Sequence, residues 1–459
     1  MTSRNVLEPA SVPGPSRPPQ PPVPDAAGPG RRLAWLDVLR GVAALAVVFD
    51  HTGQYVLQHA RAIIYHWFDT GWYGVFVFFL ISGYIVPASL ERKGSVRTFW
   101  VSRLFRLYPL YLLAVGIAVA LYLVHFGSLR GEDADPAASV LSQLLMMSNV
   151  LGGANLPNVV WSLSYEMIFY LLLTALFIAR VHKRSSWYAL AFAAAAVAIG
   201  GLLPQAYLTH NVATPRLVAL VADLAVLAGV ALAVVRRGTS RLFGAALAAV
   251  VAITLLAFNG GWIWPWQALS ILALMFTGTM FYRAEQGQYS WRKVIAAGVT
   301  VLGLAIAAGL WHSHAEGMSA HAELLWGRRW FFSLLLAGLT FGAGLRFRHL
   351  RWPWALTWLG LISYSVYLLH PLVNEVYHHF TWTRQPHHFW EQVLLAAAIL
   401  AVVLALGSAT YLCVERPMRN VGRRLGRWLD AQFGPDRIPD TVPLAKRPAM
   451  AGRGHPATE

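Results

Sequence analysis

The sequence predicts an all-α, polytopic transmembrane helix bundle of about ten to twelve spans, with both termini in the cytoplasm. Three observations carry that reading. Of 459 residues, 57% are hydrophobic and only 13% charged, and the mean hydropathy is +0.49, a balance that soluble domains of this length do not show. Apolar runs near the ~20 residues needed to cross a bilayer recur from Leu33 to Val414, separated by gaps too short to hold a folded domain. The gaps also alternate in charge.

The apolar segments fall at 33–57, 72–90, 104–126, 160–180, 186–203, 215–235, 241–258, 262–282, 293–311, 329–345, 354–377 and 390–414. If Arg31 and Arg32 hold the N-terminus inside, every second gap is basic: Arg92 to Arg103, Arg180 to Arg184, Arg236 to Arg241, Arg283 to Lys293, Arg346 to Arg351, and Arg416 to Arg427. The opposite gaps are acidic, neutral or His-rich, as in Gly131-Glu132-Asp133-Ala134-Asp135-Pro136 and around His312 and His387, and are expected outside. Trp72, Trp161, Trp262, Trp291 and Trp390 at segment ends suit the headgroup region. This pattern also accounts for the net charge of +16. The basic residues are dispersed through short loops and form no nucleic-acid-binding face.

Residues 1–30 contain nine prolines and no apolar signal-peptide core, so they are expected to be a disordered cytoplasmic tail. Residues 427–459, rich in Pro, Arg and Gly, are expected to form a second one, with the membrane domain at 31–420 between them. The single cysteine, Cys413, excludes an intrachain disulfide and a thiolate metal cluster. The histidines 312, 314, 321, 378, 379, 387 and 388 match no zinc spacing, so no metal is expected, and no P-loop, dinucleotide fingerprint or GxSxG elbow is found.

An ionisable group inside a membrane segment is costly unless it faces the bundle interior or water. The first segment holds Asp37, Arg40 and His51. Arg40 and His51 are eleven residues apart, about three turns, so they share a helix face some ~16 Å apart along the axis. Asp37 is placed to pair with Arg40. Alternatively, Arg40 snorkels to the interface and His51 caps the outer end. Asp50 points about 100° away from His51 and is not expected to orient it. Arg103 and Arg106 share a face at the cytoplasmic edge of the third segment, either as a phosphate clamp or as an anchor for lipid headgroups. Glu166 sits in the apolar run that follows Trp161 and Ser162, as a buried partner for an arginine or as a site residue. His370 lies in the eleventh segment, where a satisfied core histidine is the plain alternative to a site role.

Taken together, these residues resemble acyltransferase family 3. Leu36-Asp37-Val38-Leu39-Arg40-Gly41 running into His51 resembles that family's Arg-x10-His first helix. Phe78-Phe79-Leu80-Ile81-Ser82-Gly83-Tyr84 is similar to its second-helix motif, and Arg103-x-x-Arg106-x-x-Pro109 to its third. Trp161-Ser162-Leu163-x-x-Glu166, Ser363-Tyr364-Ser365-x-Tyr367-x-x-His370-Pro371 and Glu415-Arg416-Pro417 resemble three later motifs, in order. The resemblance spans residues 33 to 420, and the form Trp-Ser-Leu-Ser-Tyr-Glu-Met looks closest to the exopolysaccharide-modifying branch.

The resemblance implies an integral O-acyltransferase of the bacterial plasma membrane. It would take an acyl group, acetyl by default, from cytoplasmic acyl-CoA to a hydroxyl of a carbohydrate or glycosylated acceptor, with no bound cofactor. On that reading His51 is the base, and Arg40, Arg103 and Arg106 hold the phosphate-rich donor. Glu166 orients an arginine or the acceptor, and Asp37, Ser82, Tyr84, Trp161, Ser162 and His370 support the site. The rival class is a multi-pass transporter of lipid-linked sugar or drug, against which the absence of a detectable repeat argues. A macrolide-like small molecule is the alternative acceptor.

Overall fold

The computed structural model describes residues 33–126, 134–312, 319–381 and 388–438. Each of the twelve apolar segments coincides with a helix. In chain order these are α1 (Ala34–Gly53), α3 (Thr70–Lys93), α4 (Val96–Leu123), α7 (Trp161–Ile178), α8 (Ser185–Ala198), α9 (Pro215–Val235), α10 (Gly238–Phe258), α11 (Pro265–Glu285), α12 (Trp291–His312), α13 (Ala320–Arg346), α14 (Trp354–Thr381) and α15 (Phe389–Thr410). Between them lie the shorter α2 (Gln58–Trp67), α5 (Pro136–Leu144) and α6 (Ser148–Leu151), and α16 (Arg416–Phe433) follows a π-helical turn at Tyr411–Glu415. Among the described residues, eight helices are long and apolar enough to cross a membrane. The chain is therefore a multi-pass membrane protein. α8, with 14 residues, is too short to span fully, and α11 is buried along nearly its whole length in the bundle interior.

The helix boundaries follow from local chemistry. α3 starts where the Asp69 side chain accepts a hydrogen bond from Trp72 N at 2.9 Å. It stops at Gly94, whose φ of 65° is left-handed and suits glycine. Ser95 then caps α4 by accepting from Thr98 N at 3.1 Å. This two-residue turn joins α3 to α4, which carries Arg103 and Arg106. α5 and α9 each begin with a proline behind a capping Asp135 or Thr214.

α1 packs chiefly against α14 and α3, and α3 in turn against α11. Two glycines permit these close crossings. A Cβ on Gly360 would lie 1.8 Å from the Asp37 carbonyl oxygen, and one on Gly83 would lie 1.8 Å from that of Met275. Small residues at helix crossings allow such backbone approach inside a membrane. Arg283 locks α11 to α3 and α8: it pairs with Glu91 at 2.5 Å, donates to Ser185 at 3.1 Å and to the His182 carbonyl at 2.9 Å, and is wholly buried.

The first residues of the C-terminal stretch expected to be a disordered tail, 427–438, are placed against the helix bundle. Residues 427–433 continue α16, and Asp436 is buried, accepting from Arg97 N at 2.9 Å and pairing with Arg241 at 2.8 Å. A Pro- and Arg-rich composition reads as disorder because this hydrogen bond to α4 and this ion pair to α10 are made far away in sequence. Residues 1–30 and 439–459 lie outside the described residues, as do Gly131 to Asp133, His314 and His387.

Candidate active site

Two cavities flank α1. The first, with about 720 Å³ of space partly open to solvent, has a polar wall formed by Arg40 of α1, Ser82 of α3, Arg103 and Arg106 of α4, and Glu166 and Tyr170 of α7. Each pair on one helix is spaced three or four residues apart, which brings both side chains to the same face. Ser82 Oγ donates to Glu166 Oε1 at 3.2 Å, and the Tyr170 hydroxyl donates to the same oxygen. Arg103 Nη1 lies 3.5 Å from the Tyr170 hydroxyl, so the phenol links the carboxylate to the guanidinium. The Nε atoms of Arg103 and Arg106 are buried and have no hydrogen-bond partner. Arg40 lies in the field of Arg106 on one side and of Asp37, Glu415 and Glu166 on the other. With three guanidiniums against one carboxylate on its wall, the cavity is suited to an anion, and two buried donors stand ready for one.

The second cavity, about 780 Å³, lies around the C-terminal end of α1 and is lined by His51, Gln54, Tyr55, Asn158, Asn374 and Glu375 among others. His51 Nδ1 is 2.8 Å from Nε2 of His370 on α14, and the two rings are stacked with centroids 5.0 Å apart. His370 is fully buried, and its Nδ1 lies 3.1 Å from the carbonyl oxygen of Val366. That carbonyl can only accept, so His370 carries its proton on Nδ1 and presents a bare Nε2. His51 must then donate from Nδ1, which leaves its Nε2 as the basic nitrogen.

The two cavities share a wall. Asn158 lines the second, and Ser162, one turn further along, lines the first. Ser162 Oγ is 2.8 Å from the Tyr367 hydroxyl, and the Tyr367 ring lies 6.1 Å from that of His370. A polar path of Ser162, Tyr367, His370 and His51 therefore separates the arginine cavity from the imidazole cavity. Arg40 and His51 mark the two ends on one face of α1, about 16 Å apart at 1.5 Å per residue.

A family model described as an acyltransferase domain matches residues 33–413. The chain belongs to acyltransferase family 3. It is 34% identical over 176 residues to acyltransferase MdmB of Streptomyces mycarofaciens, covering 36% of this chain and 45% of that one. It is 32% identical over 177 residues to nodulation protein 10 of Rhizobium leguminosarum bv. viciae, covering 34% and 48%. It is 29% identical over 153 residues to peptidoglycan O-acetyltransferase OatA of Listeria monocytogenes, covering 30% and 23%. The aligned stretches thus span less than half the length of each of these relatives. No solved structure matches the chain.

Of the residues that the family resemblance singled out, Arg40, Ser82, Arg103, Arg106, Ser162 and Glu166 line the first cavity, and His51 lines the second with His370 behind it. Three others lie elsewhere. Tyr84, 1% exposed, packs edge-on against Trp35 and Tyr282 in the core, because two residues from Ser82 is about 200° around the helix. Trp161 joins Trp72 and Trp262 in an aromatic cluster with centroids 5.4 and 5.0 Å away. Asp37 is buried one turn before Arg40 and lines neither cavity. Asp50 turns away from His51 to pair with Arg61 at 3.1 Å.

Sequence reasoning missed the Tyr170 bridge and the amide groups of the second cavity. Tyr170 is four residues after Glu166 and Asn374 four after His370, so the helical period carried a usable signal. Asn158 opens a 3-10 turn, Asn158–Val160, that leads into α7, and no spacing pointed to it.

Among the described residues, no group of three or more His, Cys, Asp and Glu side chains is arranged to hold a metal ion. Of the histidines beyond His51 and His370, His378 packs on Tyr55, His379 on Phe126, and His312 on Trp266.

Proposed function

We propose that the protein is an O-acyltransferase of the bacterial plasma membrane. It moves an acyl group, acetyl by default, from acyl-CoA on the cytoplasmic side to a hydroxyl of a carbohydrate or glycosylated acceptor on the other side. The observation that carries this reading is the division of labour along α1. Arg40 lines a cavity rich in guanidinium groups, and His51, on the same helix face, lines a polar cavity with a defined basic nitrogen. The family and the names of its relatives, an acyltransferase and an O-acetyltransferase among them, support the same chemistry.

The donor's phosphates are bound from the cytoplasmic side by Arg40, Arg103 and Arg106, whose planar forks match phosphate oxygens. Glu166, held by Ser82 and Tyr170, fixes the orientation of that cluster. The pantetheine arm reaches past the Ser162–Tyr367 wall and delivers the thioester carbonyl to His51. His51 Nε2 takes the proton of the acceptor hydroxyl as its oxygen attacks the carbonyl carbon. The tetrahedral intermediate collapses with cleavage of the carbon–sulfur bond, and the imidazolium returns the proton to the departing thiolate. The products are an ester and the free thiol of coenzyme A.

Purified membranes supplied with acetyl-labelled acetyl-CoA and separate envelope-polysaccharide and small-molecule fractions test this. Label entering an acceptor fraction with wild type and not with His51→Ala supports the reading. Equal transfer by both proteins removes His51 from the chemistry, and transfer by neither points to the transporter class.

A further inference from the structure

The second cavity has a composition of its own. Its polar groups are mostly amides: Gln54, Asn155, Asn158 and Asn374 stand around His51, with Tyr55 as an aromatic face. Neither Lys nor Arg lines it among the described residues, whereas Glu375 does. Two of the amides are incompletely satisfied. Asn374 is buried and its Oδ1 accepts from Thr52 Oγ1 at 3.2 Å, yet its Nδ2 is buried without a partner. Asn158 Oδ1 is likewise buried and unpaired. An orphaned buried donor and an orphaned buried acceptor in one polar cavity call for a ligand or water, because each unsatisfied group costs about 1–3 kcal/mol.

We infer that this cavity is a subsite for an uncharged sugar. One hydroxyl accepts from Asn374 Nδ2, a hydroxyl proton is donated to Asn158 Oδ1, and anionic sugars are turned away. The inference rests on the reading of this cavity as the acceptor side and narrows the acceptor to the neutral class. Hydroxyls are both donor and acceptor, so a pair of amides with one free donor and one free acceptor matches a polyol. A uronate or sugar phosphate would bring a charge into a site with no guanidinium or ammonium to meet it and with Glu375 on the wall, and an uncompensated buried charge is expensive. The contrast with the arginine cavity, which has three guanidiniums, is the basis of sorting: anionic donor to one end of α1, neutral acceptor to the other.

The test is saturation-transfer NMR on the full chain in nanodiscs, with methyl glycosides of glucose, galactose and mannose and their matching uronides as probes. At least one neutral hexoside is expected to bind at least about tenfold more tightly than its uronide, since one lost hydrogen bond is about that size and an unpaired charge adds to it. Asn374→Asp keeps the acceptor for Thr52 but replaces the free donor, and is expected to weaken the neutral hexoside several-fold. Asn158→Asp keeps an acceptor oxygen in place and is expected to retain neutral binding while weakening the uronide further. Binding of the uronide as tight as that of the neutral sugar, no binding of any neutral hexoside, or an Asn374→Asp protein indistinguishable from wild type would each overturn the inference.

Acyl transfer from acetyl-CoA is read separately on the same preparations. Selective sugar binding without any transfer would refute the catalytic reading and leave the subsite standing. Transfer accompanied by equal binding of both sugars would do the reverse.

Discussion

His51 and His370 are held nitrogen to nitrogen at 2.8 Å across the α1–α14 contact, and the Val366 carbonyl behind His370 fixes which of the four ring nitrogens carry protons. Pro371, next along α14, offers no N–H to the helix ladder, so the chain is locally freed of one backbone bond where the imidazole turns. On the proposed mechanism His370 would act only through His51, as a positioning residue.

His370→Ala is expected to lower kcat about tenfold to a hundredfold while leaving KM for the donor unchanged, because the base loses its tautomer and its orientation but the arginine cavity is untouched. His370→Gln, whose side-chain oxygen can accept from His51 Nδ1, is expected to recover part of that loss. Steady-state kinetics of the two variants decide the matter. A purely structural role would lower the amount of folded protein in both and move neither ratio.

Replacing His51, the proposed base, is expected to have a larger effect. His51→Ala is expected to reduce turnover by about two to four orders of magnitude, the usual range for a general base, with membrane insertion and donor binding retained. Acyl-transfer rates and a donor-binding titration on the same preparation provide the check.

At the opposite end of α1, Arg103→Ala is expected to raise KM for acetyl-CoA at least tenfold with a smaller change in kcat. Arg103→Lys is expected to restore the charge but not the two-pronged geometry, leaving KM still elevated. Tyr170→Phe removes the hydroxyl shared by Glu166 and Arg103 and is expected to raise donor KM several-fold without affecting acceptor KM. An unchanged donor KM in Arg103→Ala would place that arginine with lipid headgroups instead.

Gly360→Ala is expected to destabilise the bundle by about 1–3 kcal/mol or more, since the added methyl would meet the Asp37 carbonyl oxygen at 1.8 Å and push α14 from α1. Thermal melting in detergent measures it. Gly303→Ala on α12, where a Cβ meets nothing, is the control with no expected loss.

All twelve apolar segments coincide with helices, eight of them long and apolar enough to cross a membrane among the described residues, because composition and length declare such a helix, and the buried ionisable exceptions to the apolar rule stand out against it. Arg40, Arg103, Arg106 and Glu166 were visible for that reason, and they do meet around one cavity. Helix rotation was the weaker inference: Tyr84 and Trp161 lie in the same motifs as Ser82 and Ser162 but turn into aromatic packing. Membership of a motif does not say which face of the helix a residue occupies. The ordered start of the C-terminal tail depends on Asp436 meeting Arg241, a contact nearly two hundred residues apart in sequence, which no local pattern announces.

On the proposed mechanism one helix, α1, connects a cytoplasmic donor site to an acceptor site on the other side. Sealed membrane vesicles of known orientation, given impermeant acetyl-CoA on one side and an impermeant acceptor on either, measure it directly. Label should pass to the acceptor only when the donor meets the arginine cavity from the cytoplasmic face and the acceptor is on the opposite face. Transfer between donor and acceptor confined to the same side would rule out a donor site and an acceptor site on opposite faces.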